Sequence, residues 1–497
     1  MDDIKDVIML MTERDKNNFI RFLNVEKEKE SRDDLEIFNE LANSNGKEKK
    51  KFKQKNDKDA YHQNRKRLME KLTDYYVLKS RKDDITGASK VSGLMTMCKF
   101  LFEGKMNRLG WKIARKAEKL AWETEQYTTL NSLYLMMIEH SESFHAIDIR
   151  TLIRKKSEAH KLAQLEENII VTTQIIKQKL HEVKASGKSL NFSVFLDSML
   201  RKAKLNNTVF ENPKHIYNII HVVRSSFLAI RNIKQFEEFI LEQYHTIEKK
   251  YGFKKQHHHL KIELLYMIAH VLYRNRKYTE SMDYLRQMYA AMNDHGKSHY
   301  RAYYPKYVSL LGSIKCFTGK INEAIEIHER ILFKDRQPIS IKDELNMHLN
   351  IAVFYAFNKQ FAKTQAIFKG QKHRDEWIEN KMGREFVLRK NMVHALTMYD
   401  LRMEEEALEK LNQIKKQNMD LFALPQYEKV GVYIDMLIAY VKDPTEISAR
   451  HFMTNMSTSS DKFNLAQEEN KTIAFFGWLM AKLKQTDYYK LVLSMVK

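Results

Sequence analysis

The chain has 497 residues and a formal net charge of +21 at pH 7, with only 14 glycines, 5 prolines and 2 cysteines. So little glycine and proline favours helices over strands and glycine-rich phosphate loops. Two thiols exclude a disulfide framework and a CxxC metal site, and the excess positive charge favours contact with polyanions or an acidic partner.

The amino terminus, MDDIKDVIMLMTERDKNNF, opens with acids and holds a short apolar run. A secretory signal needs a basic start and a longer apolar core, so we expect none. No uncharged apolar run reaches the roughly 20 residues that a membrane-spanning helix requires. The sequence therefore predicts a cytoplasmic protein.

The sequence divides into four predicted regions. Residues 1–43 show apolar residues at helical spacing and form an N-terminal helical region. Residues 44–60 form a mobile basic linker, because they hold too few apolar side chains to order themselves. Residues 61–255 form helical hairpins and include one long helix at about 147–184, a span almost free of helix breakers. Residues 256–497 form a repeat array.

Four segments of the last region align with one another. They begin at Ile268, Leu311, Ile351 and His394, and read IAHVLYRNRKYTESMDYLRQM, LGSIKCFTGKINEAIEIHERI, IAVFYAFNKQFAKTQAIFKGQ and HALTMYDLRMEEEALEKLNQI. Small residues fall in register at Ala269, Gly312, Ala352 and Ala395, and again twelve positions later at Ser281, Ala324, Thr364 and Ala407. Small residues at fixed places let two helices approach closely, so each segment is predicted to be a helical hairpin.

These segments resemble the tetratricopeptide repeat, a helix pair with small residues at the close contact and an aromatic or apolar residue at the turn. The turn residues here are Tyr278, Ile321 and Phe361, and the large packing residues of the second helix are Leu285, Phe368 and Leu411. The repeats are spaced about 43, 40 and 43 residues apart instead of 34, and Glu404 stands at the fourth turn. The layout also resembles helical-repeat proteins of the Bacteroidota. The resemblance implies an all-α protein whose hairpins stack into a right-handed superhelix, an α-solenoid.

The resemblance further implies a non-enzymatic scaffold or adaptor that binds a partner protein or peptide through the concave face of the repeats. The residues predicted on that face are Tyr266, His270, Tyr273, Arg274, Lys306, Ser313, Asn346, Arg389 and Tyr399. The Lys and Asn clamp that some family members use for a peptide carboxylate is not reproduced. The predicted wall is aromatic and basic, which suits a peptide with acidic residues. Packing between repeats is the alternative role for each residue taken singly.

The basic stretch supports a second hypothesis, a nucleic-acid- or ribosome-associated factor. Its candidate anion-binding residues are Lys49, Lys50, Lys51, Lys53, Arg65, Lys66 and Arg67. Clustered Lys and Arg with interleaved aromatic residues suit phosphate contacts and base stacking. An ordinary solvated charged linker is the alternative interpretation.

No motif in the sequence indicates catalysis. The two GKS triplets lack the first glycine of a phosphate-binding loop, because Glu182 and Ala291 stand in its place. Cys98 and Cys316 lie in apolar helical contexts typical of buried cysteines. The histidine run 257–259 is interpreted as a solvated link, since adjacent helical residues point in different directions. We expect no metal, no cofactor and no enzymatic activity.

Overall fold

The computed structural model describes residues 3–9, 11, 13–25, 30–43, 58–84, 87–143, 148–186, 195, 198–199, 201–202, 205, 212–229, 233–335, 339–424, 427–445, 447–458 and 468–496. Every regular element within these ranges is a helix, as the composition predicts. None of the described helices combines the length and the apolar character needed to cross a lipid bilayer.

The described residues form a series of α-helices. In chain order they are α1 (Asp3–Met9), α2 (Glu13–Val25), α3 (Glu30–Asn43), α4 (Lys58–Asp83), α5 (Ala88–Glu103), α6 (Asn107–Glu123), α7 (Tyr127–Glu139), α8 (Ile149–Ser186), α9 (Pro213–Ala229), α10 (Ile233–Lys250), α11 (His258–Arg274), α12 (Tyr278–Asn293), α13 (Tyr300–Phe317), α14 (Ile321–Glu329), α15 (Ile341–Phe357), α16 (Phe361–Lys369), α17 (Asp375–Met382), α18 (Arg384–Asp400), α19 (Glu404–Gln417), α20 (Met419–Phe422), α21 (Glu428–Lys442), α22 (Ala449–Thr458), α23 (Asn470–Leu483) and α24 (Tyr488–Val496). Helices that follow one another in the chain pack in neighbouring pairs. The long helix α8 lies close to the range that the sequence predicts.

The N-terminal helices α1–α4 have an apolar core of their own. Phe19, Phe38 and Leu68 are fully buried in it, together with Ile8 and Leu72. These residues recur at helical spacing within their own helices, so each helix buries one stripe against the others. A separate set of cores runs through α5–α24.

One tight turn recurs at seven places in the described chain. The central residue of the turn adopts the left-handed backbone conformation, with a positive φ. The seven central residues are Lys105, Glu125, Arg276, Gly319, Lys359, Arg402 and Gln485. At each place the next N–H donates to the carbonyl five residues earlier at 2.8–3.0 Å, which is the Schellman helix ending. A left-handed conformation costs a residue with a Cβ roughly 1–2 kcal/mol. Because only Gly319 avoids that cost, packing of the paired helices must impose the turn.

The small residues in register are buried where the two helices of a hairpin meet. Ser281 Oγ donates to the Ala269 carbonyl at 2.6 Å, and Thr364 Oγ1 donates to the Ala352 carbonyl at 3.3 Å. At Gly312, an added Cβ would lie 2.2 Å from the ring of His328. The aligned positions therefore share one structural role, close contact between paired helices.

The first helices of the hairpins, α11, α13, α15 and α18, pack side by side in that order. The C-terminal pair α23 and α24 covers their carboxyl-terminal ends. One core cluster joins Phe317 and Phe357 to Ile473 and Val492, which belong to α23 and α24. The end of the chain thus folds back over the repeats, and it shapes the site described below.

A buried polar cluster, here called the histidine junction, links the turn after α6 to α9 and to the start of α11. The Glu125 carboxylate contacts His257 Nε2 at 2.9 Å and accepts from Asn212 at 3.3 Å. Lys214 donates to the Glu125 carbonyl and pairs with Glu166. Burial alone would raise the pKa of Glu125, but its contacts with His257 and Asn212 outweigh burial and lower it.

Candidate binding groove

A cavity of about 120 Å³ lies between the first helices α13, α15 and α18 and the C-terminal helices. Its apolar wall includes Phe317, Leu349, Val353, Leu396, Phe475 and Trp478. Small-molecule pockets usually measure about 300–1,000 Å³, whereas an apolar cavity of about 150 Å³ holds a benzene ring. The cavity therefore has the size of one apolar side chain. We call it, with the charged residues at its rim, the groove.

Arg389 supplies an uncompensated positive charge to the cavity. Its Nε donates to the Glu385 carbonyl at 3.3 Å, and its guanidinium lies 5.9 Å from the centre of the Phe386 ring. No carboxylate of the described residues forms an ion pair with it. Burial lowers the pKa of Arg389, and the nearby Glu385 charge only partly opposes this effect. A half-buried cation without an anion is a candidate binding residue.

At the other end of the groove, two cations share one carboxylate. Glu469, the residue before α23, forms ion pairs with both Arg274 and Lys471. Lys471 lines the cavity and its side chain is 47% exposed, so the groove reaches the surface here. Arg274 and Lys471 thus share the Glu469 carboxylate, and Arg389 is a further cation in the cavity wall. The groove has an excess of positive charge.

A further arginine adds to this excess. Arg224 of α9 is half-buried and forms no ion pair with the described part of the chain. Burial, and then the charges of Arg224 and Arg389, lower the pKa of Arg274 to about 10. Arg274 is still protonated at neutral pH, so these arginines repel one another, and the described carboxylate that pairs with Arg274 is Glu469.

The acid within the cavity, Asp400, does not offset this charge because it is already paired. Its carboxylate accepts from the Trp478 indole at 2.9 Å and forms an ion pair with Lys482. Lys482 also lies over the Tyr399 and Trp478 rings. This cluster anchors α23 against α18.

The structure brings three of the nine predicted concave-face residues, Tyr273, Ser313 and Arg389, to the cavity, and Arg274 beside it. The other five have partners elsewhere or no contact with the cavity. Lys306 pairs with Glu263 at 3.2 Å and lies over the Tyr266 ring, while His270 packs between Tyr266 and Tyr273. Tyr399 packs against Trp478, and Asn346 is exposed and bonded to its own helix at Lys342.

The predicted basic stretch is only partly described. Lys49, Lys50, Lys51 and Lys53 lie outside the described residues. Arg67 forms a two-point contact with the buried Asp34 at 2.9–3.1 Å, so its guanidinium holds α4 against α3. Arg65 lies over the Tyr61 ring, and Lys66 is exposed. Nucleic-acid binding by this stretch stays a prediction from the sequence.

Both thiols are buried, as the sequence predicts. Burial raises the pKa of Cys98 to about 11 and that of Cys316 well above its ordinary value, so neither forms a thiolate readily. The prediction of a solvated histidine run is wrong: His257 and His258 are each 4% exposed. His257 is held by Glu125, and His258 by the Ala291 carbonyl. Within the described ranges, no cluster of three or more potential ligands could hold a metal ion.

Sequence reasoning missed the residues that α23 and the position before it contribute, chiefly Glu469, Lys471, Phe475 and Trp478. The signal that could have found them is the run IAFFGWLMA at residues 473–481, which is apolar on every side of the helix and is typical of a buried helix. No protein-family model matches the sequence, and none of the curated proteins compared with it is similar enough to count as a relative.

Proposed function

We propose that this protein is a non-enzymatic adaptor whose hairpins are divergent tetratricopeptide-like repeats stacked into a right-handed superhelix. The recurring Schellman turn and the buried register of small residues support this architecture. Its two reduced, buried cysteines suit the cytoplasm. The adaptor binds a partner polypeptide in the groove between the first helices and α23.

The observation that carries this proposal is Arg389, a half-buried cation without a carboxylate partner beside an apolar cavity. A peptide that places one apolar side chain in the cavity and a neighbouring carboxylate on Arg389 satisfies both features at once. A charge-assisted contact at a partly desolvated site contributes more to affinity than one at the exposed surface. We therefore expect the partner segment to combine an apolar anchor with an acidic residue.

Selection from a random peptide library on the full-length chain tests the proposal. Enriched peptides are synthesised, and their affinities are measured by fluorescence anisotropy for the unmodified chain and for Arg389→Gln. The matched control is Arg286→Gln, since Arg286 is exposed on α12 and its ion pair with Asp283 lies within its own helix.

We expect the enriched peptides to carry an acid beside an apolar residue. Arg389→Gln should weaken their binding by about tenfold, which corresponds to ~1.4 kcal/mol, and Arg286→Gln should leave it unchanged. Equal affinity for the Arg389 variant, or no enriched peptide at all, would contradict the proposal.

A further inference from the structure

The acids that precede α23 resemble a bound ligand more than an ordinary helix start. Glu468 and Glu469 are adjacent in sequence, yet each pairs with a different part of the repeats. Glu468 forms a buried ion pair with Lys429 at the start of α21, and Glu469 pairs with Arg274 at the end of α11. Two carboxylates of one short segment therefore link α21 to α11.

The Glu468 carbonyl and the Asn470 side chain in the same segment also form hydrogen bonds with the repeats. Arg276 donates to the Glu468 carbonyl at 2.7 Å. The Asn470 side chain accepts from the Tyr278 hydroxyl at 3.0 Å and donates to the Tyr273 carbonyl at 3.5 Å. Contacts to both side chains and main chain are what a repeat groove offers to an extended peptide.

The segment differs from the helix that follows it. Ile473, Phe476 and Leu479 of α23 are buried in the apolar cores, so the body of the helix is fixed by packing. Glu468 and Glu469 are fixed by ion pairs and hydrogen bonds. Charged contacts can be exchanged for equivalent contacts from another chain, whereas removal of the helix body would expose its apolar face to water.

We propose that Glu468 and Glu469 are a built-in substitute for a partner, and that the partner docks through two adjacent acidic residues that replace them on Lys429 and Arg274. This inference rests on the proposed function, because it takes the groove to be a peptide site and names the acidic pair that the site recognises. The chain's own acids then compete with the partner, so the groove is partly self-occupied. Apparent affinity falls by the fraction of molecules in which the groove is closed.

A trans-binding experiment tests this inference. The probe is a fluorescently labelled octapeptide of residues 463–470, FNLAQEEN, and its control is FNLAQQQN. Anisotropy is measured with the unmodified full-length chain, with the variant Glu468→Gln/Glu469→Gln and with the single variant Glu469→Gln. Glutamine keeps the shape of glutamate, and circular dichroism with thermal unfolding checks that each variant is folded.

We expect FNLAQEEN to bind the double variant about tenfold more tightly than the unmodified chain, because removal of the internal competitor raises the fraction of open groove. The single variant should fall between the two, and FNLAQQQN should gain nothing. Equal binding of FNLAQEEN to all three proteins, or no binding to any of them, would overturn the inference.

Hydrogen exchange provides a second measurement that does not depend on a variant. The amide of Ile473 donates to the Glu469 carbonyl at 3.0 Å. When a library-selected acidic peptide binds the unmodified chain and displaces Glu469, this amide should exchange faster while those of 476–483 stay protected. If the selected peptide binds but exchange at Ile473 is unchanged, the inference fails and the proposed function stands. If Arg389→Gln leaves selected peptides bound while FNLAQEEN prefers the double variant, the proposed function fails at Arg389 and the acidic-pair site stands.

Discussion

Acids join distant parts of the chain at two places, the histidine junction and the groove, and the two places differ in charge balance. At the junction, Glu125 meets His257 and Asn212, and Lys214 has Glu166 as a partner. In the groove, Glu469 pairs with Arg274 and Lys471, and the charge of Arg389 acts on Arg274. The junction is balanced, whereas the groove has more cations than acids.

This difference separates a structural contact from a binding site. Charges that are paired within the fold leave no net charge for an ionic ligand to offset. Cations that the fold gathers without enough acids destabilise it slightly, and an anionic ligand relieves that cost when it binds. Substitutions at the junction should therefore lower the free energy of unfolding more than substitutions in the groove. One groove substitution, Arg389→Gln, should leave it unchanged or raise it.

The largest loss of stability is expected from Glu125→Ala. Removal of the buried carboxylate leaves His257 and Asn212 without their hydrogen-bond partner, and each buried group left unsatisfied lowers the free energy of unfolding by about 1–3 kcal/mol. Chemical denaturation measures it, and Glu280→Ala on the exposed side of α12 is the control, with a change within about 0.5 kcal/mol. A loss below that of the groove variants would contradict the assignment of the junction as structural.

The next effect is a pH dependence that arises at the junction. His215 is 3% exposed, and neither ring nitrogen meets a hydrogen-bond partner among the described residues. Burial, and then the charges of Lys214 and His257 against the opposing charge of Glu125, lower the pKa of His215 to about 4. Between pH 6.5 and 4 the unfolded chain therefore binds a proton that the folded chain resists, and the free energy of unfolding falls as pH falls.

The variant His215→Phe removes this proton linkage. It should reduce the loss of unfolding free energy between pH 7 and pH 5 by about 2 kcal/mol, since one pKa unit corresponds to ~1.4 kcal/mol. Urea titrations at a series of pH values measure the change. An identical pH slope for the variant and the unmodified chain would show that His215 does not titrate in this window.

A smaller loss is expected in the groove from Glu468→Gln/Glu469→Gln. Glutamine removes the charge that pairs with the buried Lys429 ammonium but keeps a hydrogen-bonding oxygen for Lys429 and Arg274, so we expect a cost of about 2 kcal/mol. Urea denaturation at pH 7 measures it. A cost as large as that of Glu125→Ala would mean that the acidic pair is as structural as the junction.

The smallest effect, and the one of opposite sign, is expected from Arg389→Gln. Removal of a half-buried cation that has no carboxylate partner relieves repulsion with Arg274, so stability should be unchanged or rise by up to about 1 kcal/mol. Denaturation at low and high salt measures it, and the gain should shrink as salt screens the charges. A loss above 1 kcal/mol would place Arg389 with the structural contacts.

The sequence predicts the local part of this architecture well. The register of Ala269, Gly312 and their counterparts identifies the hairpins because small residues are needed wherever paired helices touch. The extent of α8 follows from the absence of helix breakers. The recurring turn is less visible, because Arg276, Lys359 and Arg402 adopt a conformation that sequence alone assigns to glycine.

The groove could be predicted only in part, because its two sides are far apart in the chain. Arg389 and Tyr273 follow from the repeat register, but the contacts of Glu469 and Asn470 span more than 190 residues. No local pattern indicates that the C-terminal helix folds back over the first helices. The burial of His257 could not be predicted for the same reason, since its ring contacts Glu125, which lies 132 residues earlier in the chain.

The most direct test of the central claim is a double-mutant cycle between Arg389 and the acid of a library-selected peptide. Affinities are measured for the peptide and its Glu→Gln or Asp→Asn form, each with the unmodified chain and with Arg389→Gln. If the carboxylate binds Arg389, the two changes should be non-additive with a coupling of about 1 kcal/mol or more. Additive effects would contradict the claim that this groove recognises an acidic partner through Arg389.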